Sequence, residues 1–134
     1  MKTFAEIEHA FVSCTDTVYA YDLMARVKEN PDAFVSLHSK EGNYLAVSES
    51  VTAMLKYQPQ DLIGHSAYDF FLADDFKAIM DSHAQVTVQY DVTTVSYRIR
   101  GKDGLYKSVT SKSKSILNIA LDTHQILVLT YLQV

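Results

Sequence analysis

The segment FVSLHSKEGNYLAVSESVTAMLKY (residues 34–57) decides the fold, because it passes from extended to helical patterning around one glycine turn. Ala33–Ser39 and Asn43–Ser48 flank Lys40-Glu41-Gly42 and read as a β-hairpin. Glu49–Tyr57 then reads as a short helix with Val51, Met54 and Leu55 on one side. Downstream, Pro59 suits the first turn of a short helix over Gln58–Ile63, with Gly64 as its left-handed cap. Asp74 or Asp75 can cap a longer helix whose apolar stripe is Phe76, Ile79, Met80 and His83.

The last part of the chain reads as three antiparallel strands. Val95, Tyr97 and Ile99 alternate with Ser96, Arg98 and Arg100, so one face is apolar and the other basic. After the turn Gly101–Gly104, the run Leu105–Leu117 is unusually polar, with Ser108, Ser111, Ser113 and Ser115 along it. Ile126–Leu132 is apolar on both faces, which implies a central strand covered on both sides. The element available for the second cover is N-terminal. Thr3 and Glu6 fit a capping box ahead of Phe4, Ile7 and Phe11, and Asp16 can cap a second helix carrying Val18, Tyr21, Met24 and Val27 up to Asn30-Pro31.

At 134 residues, with 48% hydrophobic and 21% charged side chains, the chain has the composition of one globular domain. No apolar run approaches the roughly 18 residues of a membrane span, and Glu6 and Glu8 stand where a signal peptide would be apolar. A single cysteine, Cys14, forbids an internal disulfide. The expectation is a cytoplasmic domain. Net charge is −4, distributed as −3 over residues 1–32, −5 over 33–91 and +4 over 92–134. An acidic chain of this kind is a poor general binder of nucleic acid. The basic strand face (Arg98, Arg100, Lys112, Lys114) is open to three readings: contact with nucleic acid or an acidic partner, an ordinary solvated face, or docking of the acidic N-terminal helices (Glu6, Glu8, Asp16, Asp22) in cis or across a homodimer. Apolar burial would drive that docking and charge would orient it.

The order of these elements, two strands, short helices, one longer helix and three strands, resembles that of a PAS domain. The hairpin-to-helix segment at 34–57, QPQDLIGHSAYDFF (58–71), LADDFKAI (72–79) and YRIRGKDGLYKSV (97–109) resemble family motifs in the family's order, covering about residues 30–133. Ser39, Ser48, Lys56 and Ala73 depart from the family pattern at turn and capping positions. The resemblance implies an α+β fold: a five-stranded antiparallel sheet, short helices on one face, and an N-terminal helical extension. It divides the chain into an extension (1–30) for dimerisation or sheet covering and a PAS unit (31–134). The implied role is sensory or protein-interaction signalling, as the input module of a bacterial-type protein. The chain stops where PAS strands feed an output helix, so it is expected to be a fragment separated from a histidine kinase, diguanylate cyclase or transcription factor.

No catalytic or metal site is expected, since the five histidines show no zinc-type spacing. Glu6-x-x-His9 occurs once where a di-iron bundle needs two such pairs. Some PAS proteins hold haem through a histidine on the long helix, a position His83 matches; a satisfied core histidine is the alternative, and no cofactor is the reading kept. The flavin-photochemical branch needs a cysteine in the helical arm, and Ser48–Tyr57 has none. If Val109 faces the core, Ser111 and Ser113 face it too, leaving volume for a small ligand or water. The lining would be Met54, Tyr57, Ile79, Met80, His83, Tyr97, Val109 and Ser111. The opposite register turns the serines to solvent or a partner. Two rival functions stand beside the sensory one. A small enzyme of the ketosteroid-isomerase-like cone fold would use Asp81, His83 or Tyr97 as acid or base. A purely structural dimerisation module would have a filled core.

Overall fold

The computed structural model describes residues 3–90 and 92–133. Two helices, α1 (Phe4–Ser13) and α2 (Thr17–Arg26), precede the hairpin strands β1 (Ala33–His38) and β2 (Tyr44–Val47). Two short helices follow, α3 (Val51–Leu55) and α4 (Pro59–Leu62), then two 3-10 turns (Ala67–Phe70, Ala73–Asp75) and the long helix α5 (Phe76–Gln89). Strands β3 (Thr93–Arg100), β4 (Tyr106–Asn118) and β5 (Thr123–Leu132) end the chain. All pairings are antiparallel, in the spatial order β2-β1-β5-β4-β3. The apolar run over β5 therefore lies in the middle of the sheet, as its two-sided pattern requires.

Each face of the sheet has its own core. On the outer face Ile7 and Phe11 of α1 and Ala20, Leu23 and Met24 of α2 bury against Val35, Leu37, Ile116, Leu127 and Leu129. Local chemistry prepares this layer: Thr3 Oγ1 accepts from the Glu6 amide and Asp16 from the Tyr19 amide. Val18 and Tyr21 are 70% and 54% exposed, so the apolar stripe of α2 runs through Ala20, Leu23 and Met24 instead. Charge orients the docking in cis through two of the four basic residues expected to do so: Arg98 and Arg100 turn instead to the Asp75 carboxylate and the Asp69 carbonyl. Lys112 Nζ lies 2.8 Å from Glu8, and Lys114 Nζ lies 2.7 Å from the Val12 carbonyl at the C-terminal end of α1, where a cation meets the negative end of the helix dipole.

On the inner face Phe34, Val109, Tyr97 and Ile99 pack against Val51, Met54 and Leu55 of α3, Leu62 of α4 and Ile79 of α5. Two features differ from the sequence expectation. Met80 is 57% exposed: it lies about 100° round the helix from Ile79, and the stripe that meets the sheet runs through Ile79 and Val86. Asp75 occupies the N-cap of α5 without capping it, because its carboxylate accepts from the Arg98 amide, Nε and Nη2 at 2.8, 3.0 and 2.7 Å. The cone-fold order of helices before all strands is absent, since β1 and β2 stand between α2 and α3.

Candidate ligand cavity between the sheet and the long helix

The inner face of the sheet is polar at its centre. Along β1, Phe34, Ser36 and His38 alternate inward, and Ser36 pairs with Val128 of β5, which pairs with Ser113 of β4. One position along, Phe34 meets Thr130, Thr130 meets Ser111 and Ser111 meets Val95. Side chains this small cannot reach α5, and a cavity of about 70 Å³ remains between them. At ~10–15 Å³ per water-sized body, that is room for roughly five to seven. The helix side of the wall carries Phe71, Ile79 and Val86 together with Ser82 and His83.

Most wall hydroxyls are already engaged. Tyr97 Oη lies 2.6 Å from Ser111 Oγ, which lies 2.8 Å from Thr130 Oγ1. Ser82 donates to Thr93 at 2.7 Å, tying α5 to β3. His38 Nε2 lies 2.8 Å from Ser36 Oγ. Burial lowers the His38 imidazole to about 4, opposed by a backbone hydrogen bond at Gly42 and reinforced by His83, so the ring is neutral near neutrality. Burial likewise pushes the Tyr97 and Tyr44 phenols up. Gly42, at φ +92°, lets the hairpin turn approach closely: a Cβ there would sit 3.4 Å from the Tyr68 ring.

Of the residues singled out from the sequence, Ile79, His83, Tyr97 and Ser111 line the cavity. Met54, Tyr57 and Val109 are buried in the same core without lining it; Tyr57 donates its hydroxyl to the Arg100 carbonyl at 3.0 Å. Met80 faces solvent and is withdrawn from the lining. Ser36, His38, Tyr44 and Thr130 line it and were missed. The period-2 alternation of Phe34, Ser36 and His38 was the available signal for the first two.

A haem does not fit. His83 Nε2 lies 2.6 Å from the Lys40 carbonyl and is committed to the hairpin turn. The cavity of about 70 Å³ also falls well short of the several hundred Å³ usual for a site of that size. Among the described residues no cluster of three or more His, Cys, Asp or Glu could hold a metal ion, and no helix is long and apolar enough to cross a membrane.

Comparison with known proteins agrees with this architecture. The PAS domain family profile matches residues 22–131. Basic helix-loop-helix ARNT-like protein 1 of Gallus gallus is 33% identical over 93 residues, 69% of this chain and 15% of that protein. Protein cycle of Drosophila melanogaster is 37% identical over 86 residues, 63% of this chain and 21% of that protein. The chain thus spans about a fifth or less of the length of these relatives. Among solved structures, the PAS-B domain of Drosophila melanogaster Cycle with bound ethylene glycol superposes with a TM-score of 0.69 at 29% identity, covering 75% of this chain and 99% of that one. The PAS domain of an HTR-like protein from Haloarcula marismortui has a TM-score of 0.69 at 17% identity, covering 87% and 93%, and shares the fold. With its α+β architecture, sheet order and profile match over most of its length, the chain belongs to the PAS domain family.

Proposed function

We propose that this chain is a non-catalytic sensory and protein-interaction module, in which a small molecule in the inner cavity biases the sheet and its flanking helices between two arrangements. The observation that carries this reading is the inward row of Ser36, Ser111, Ser113 and Thr130, which keeps open a space that larger apolar residues would fill. An unfilled core void is costly, so such a row is better explained by an occupant than by packing. A purely structural module would turn Ser111 outward, whereas it is 3% exposed and faces the cavity. Against an enzyme, Asp81 pairs with Lys77 at 3.0 Å on the exposed side of α5, and His83 is engaged by Lys40. The wild-type Cycle PAS-B domain has been solved with bound ethylene glycol, and a tryptophan-to-alanine variant of it with bound glycerol.

Residues 1–30 would act as a covering extension and residues 31–134 as the PAS unit. Because α1 and α2 already cover the outer sheet face within one chain, a homodimer would join the outward side of this helical layer, where Val12, Val18, Tyr19 and Tyr21 are exposed, instead of bare sheet. For the output, relatives named as basic helix-loop-helix proteins favour a transcription factor over a histidine kinase or diguanylate cyclase. A ligand acts on such a system only through its different affinities for the two arrangements.

Native mass spectrometry of the freshly purified chain, compared with its denatured mass, tests the reading. Noncovalent mass that is lost on denaturation and absent from Ser111→Leu supports it. Equal retention of that mass by Ser111→Leu places the ligand elsewhere and overturns it.

A further inference from the structure

Tyr44 is 2% exposed and lines the cavity, yet its hydroxyl makes no hydrogen bond with any described residue. A molecule that fills the cavity without accepting from this hydroxyl displaces the water that can reach it and leaves it unpaired, which disfavours that molecule. Its ring is well held, 4.5 Å from the His38 ring and 6.1 Å edge-on to Phe70, so the phenol is a positioned group and not a loose one. Ser113 and Tyr68, both half-buried in the same wall, are the other wall residues whose hydroxyls have no partner among the described residues. The others are committed to one another in the pairs Tyr97–Ser111, Ser111–Thr130, Ser36–His38 and Ser82–Thr93.

The wall also lacks charge. Among the described residues no Asp, Glu, Lys or Arg lines the cavity, burial keeps His38 neutral, and the second wall imidazole, His83, spends its Nε2 on the Lys40 carbonyl at 2.6 Å. An ion placed there would be desolvated without a counter-charge, which is far more costly than burying a neutral polar group. On the opposite wall the apolar side chains of Phe71, Ile79 and Val86 stand beside Ser82 and His83, whose polar atoms are engaged by Thr93 and the Lys40 carbonyl.

Resting on the cavity reading above, we propose that the site selects a small uncharged molecule of about five to seven non-hydrogen atoms. One edge of it accepts the Tyr44 hydroxyl proton and meets Ser113, and the other packs on α5. Tyr44 is then the residue that reads ligand polarity. Anions of the same shape are rejected for want of a counter-charge, and hydrocarbons of the same size leave Tyr44 unpaired.

Three probes separate these terms: lactamide (neutral and polar), lactate (the nearly isosteric anion) and cyclopentane (apolar). Each is titrated into the ¹⁵N-labelled full chain while the amides of Tyr44, Ser111 and Ser113 are followed by NMR. The expected result is that lactamide shifts these amides and lactate does so at least tenfold more weakly. Tyr44→Phe, which keeps the ring contacts, should weaken lactamide fivefold or more and leave cyclopentane unchanged. Lactate binding as well as lactamide overturns the proposal. So does cyclopentane binding as well as lactamide with Tyr44→Phe indifferent, although the cavity itself would then stand. Failure of all three probes to move these amides overturns both this proposal and the cavity reading.

Discussion

The Tyr97 hydroxyl lies 2.6 Å from Ser111 Oγ and, through it, joins Thr130, so one hydrogen-bonded chain crosses β3, β4 and β5 in the cavity wall. Tyr97 and Ser111 are 8% and 3% exposed, so water cannot replace either partner at will. Ser111 is the middle link: it satisfies two neighbours and keeps the wall polar.

Ser111→Ala removes that link and leaves the Tyr97 and Thr130 hydroxyls without their shared partner. The expected cost is about 1–3 kcal/mol, read as a lower urea midpoint with an unchanged m-value. A loss below a few tenths of a kcal/mol would mean that the two hydroxyls re-pair directly.

Phe11 is fully buried beneath the N-terminal layer and against the sheet. Phe11→Ala should cost about 3–5 kcal/mol in thermal or denaturant unfolding. Removing residues 1–29 should expose Val35, Leu37, Leu127 and Leu129 together, giving a protein that self-associates in light scattering. A well-behaved product of unchanged oligomeric state would refute the covering role of α1 and α2.

Asp75 holds Arg98 by its side chain and by its backbone amide, and this hydrogen bonding keeps the carboxyl below the usual aspartate range. A folded-state value below the unfolded one stabilises the fold above about pH 3.9, and that contribution is lost as pH falls through the folded value. Asp75→Asn should therefore lower stability at neutral pH and flatten the acid limb of the stability profile below about pH 4. Denaturation midpoints of the two proteins across pH 2.5–7 (roughly the aspartate range and above) check this.

His38 works in the same direction for a different reason. Burial lowers it to about 4 in the fold against about 6.5 in the unfolded chain, so between these values only the unfolded state binds the proton. Stability is full above about pH 6.5 and declines toward about pH 4, by roughly 3 kcal/mol from this group. In an NMR titration its Cε1 proton should stay flat from pH 8 to about pH 5. A midpoint near 6.5 would show the ring in contact with water.

Much of this was legible locally. The caps at Thr3 and Asp16 act between residues three apart, and the hairpin at Lys40-Glu41-Gly42 is a matter of alternation and one glycine. His83 lines the cavity from α5 with its Nε2 on the Lys40 carbonyl, and the inward direction of Ser111 is one of the two registers the sequence leaves open. Met80 was misplaced because an i+4 neighbour of Phe76 looks as inward as Ile79 until the sheet sets the helix rotation. The same holds for Val18 and Tyr21 in α2.

By itself the sequence determined the element order, the alternation within each strand and the opposite charge of the N-terminal helices and the last strands, since each depends on spacing along the chain. Only the tertiary structure decided that those helices cover the sheet in cis, with Lys112 on Glu8 and Lys114 on the end of α1. It also decided that Asp75 serves Arg98 instead of capping α5, and that Tyr44 meets the cavity with a hydroxyl unpartnered among the described residues. These relationships join groups far apart in the chain. They depend on strand register and helix rotation, which the burial of two separate cores sets together and which no local pattern encodes.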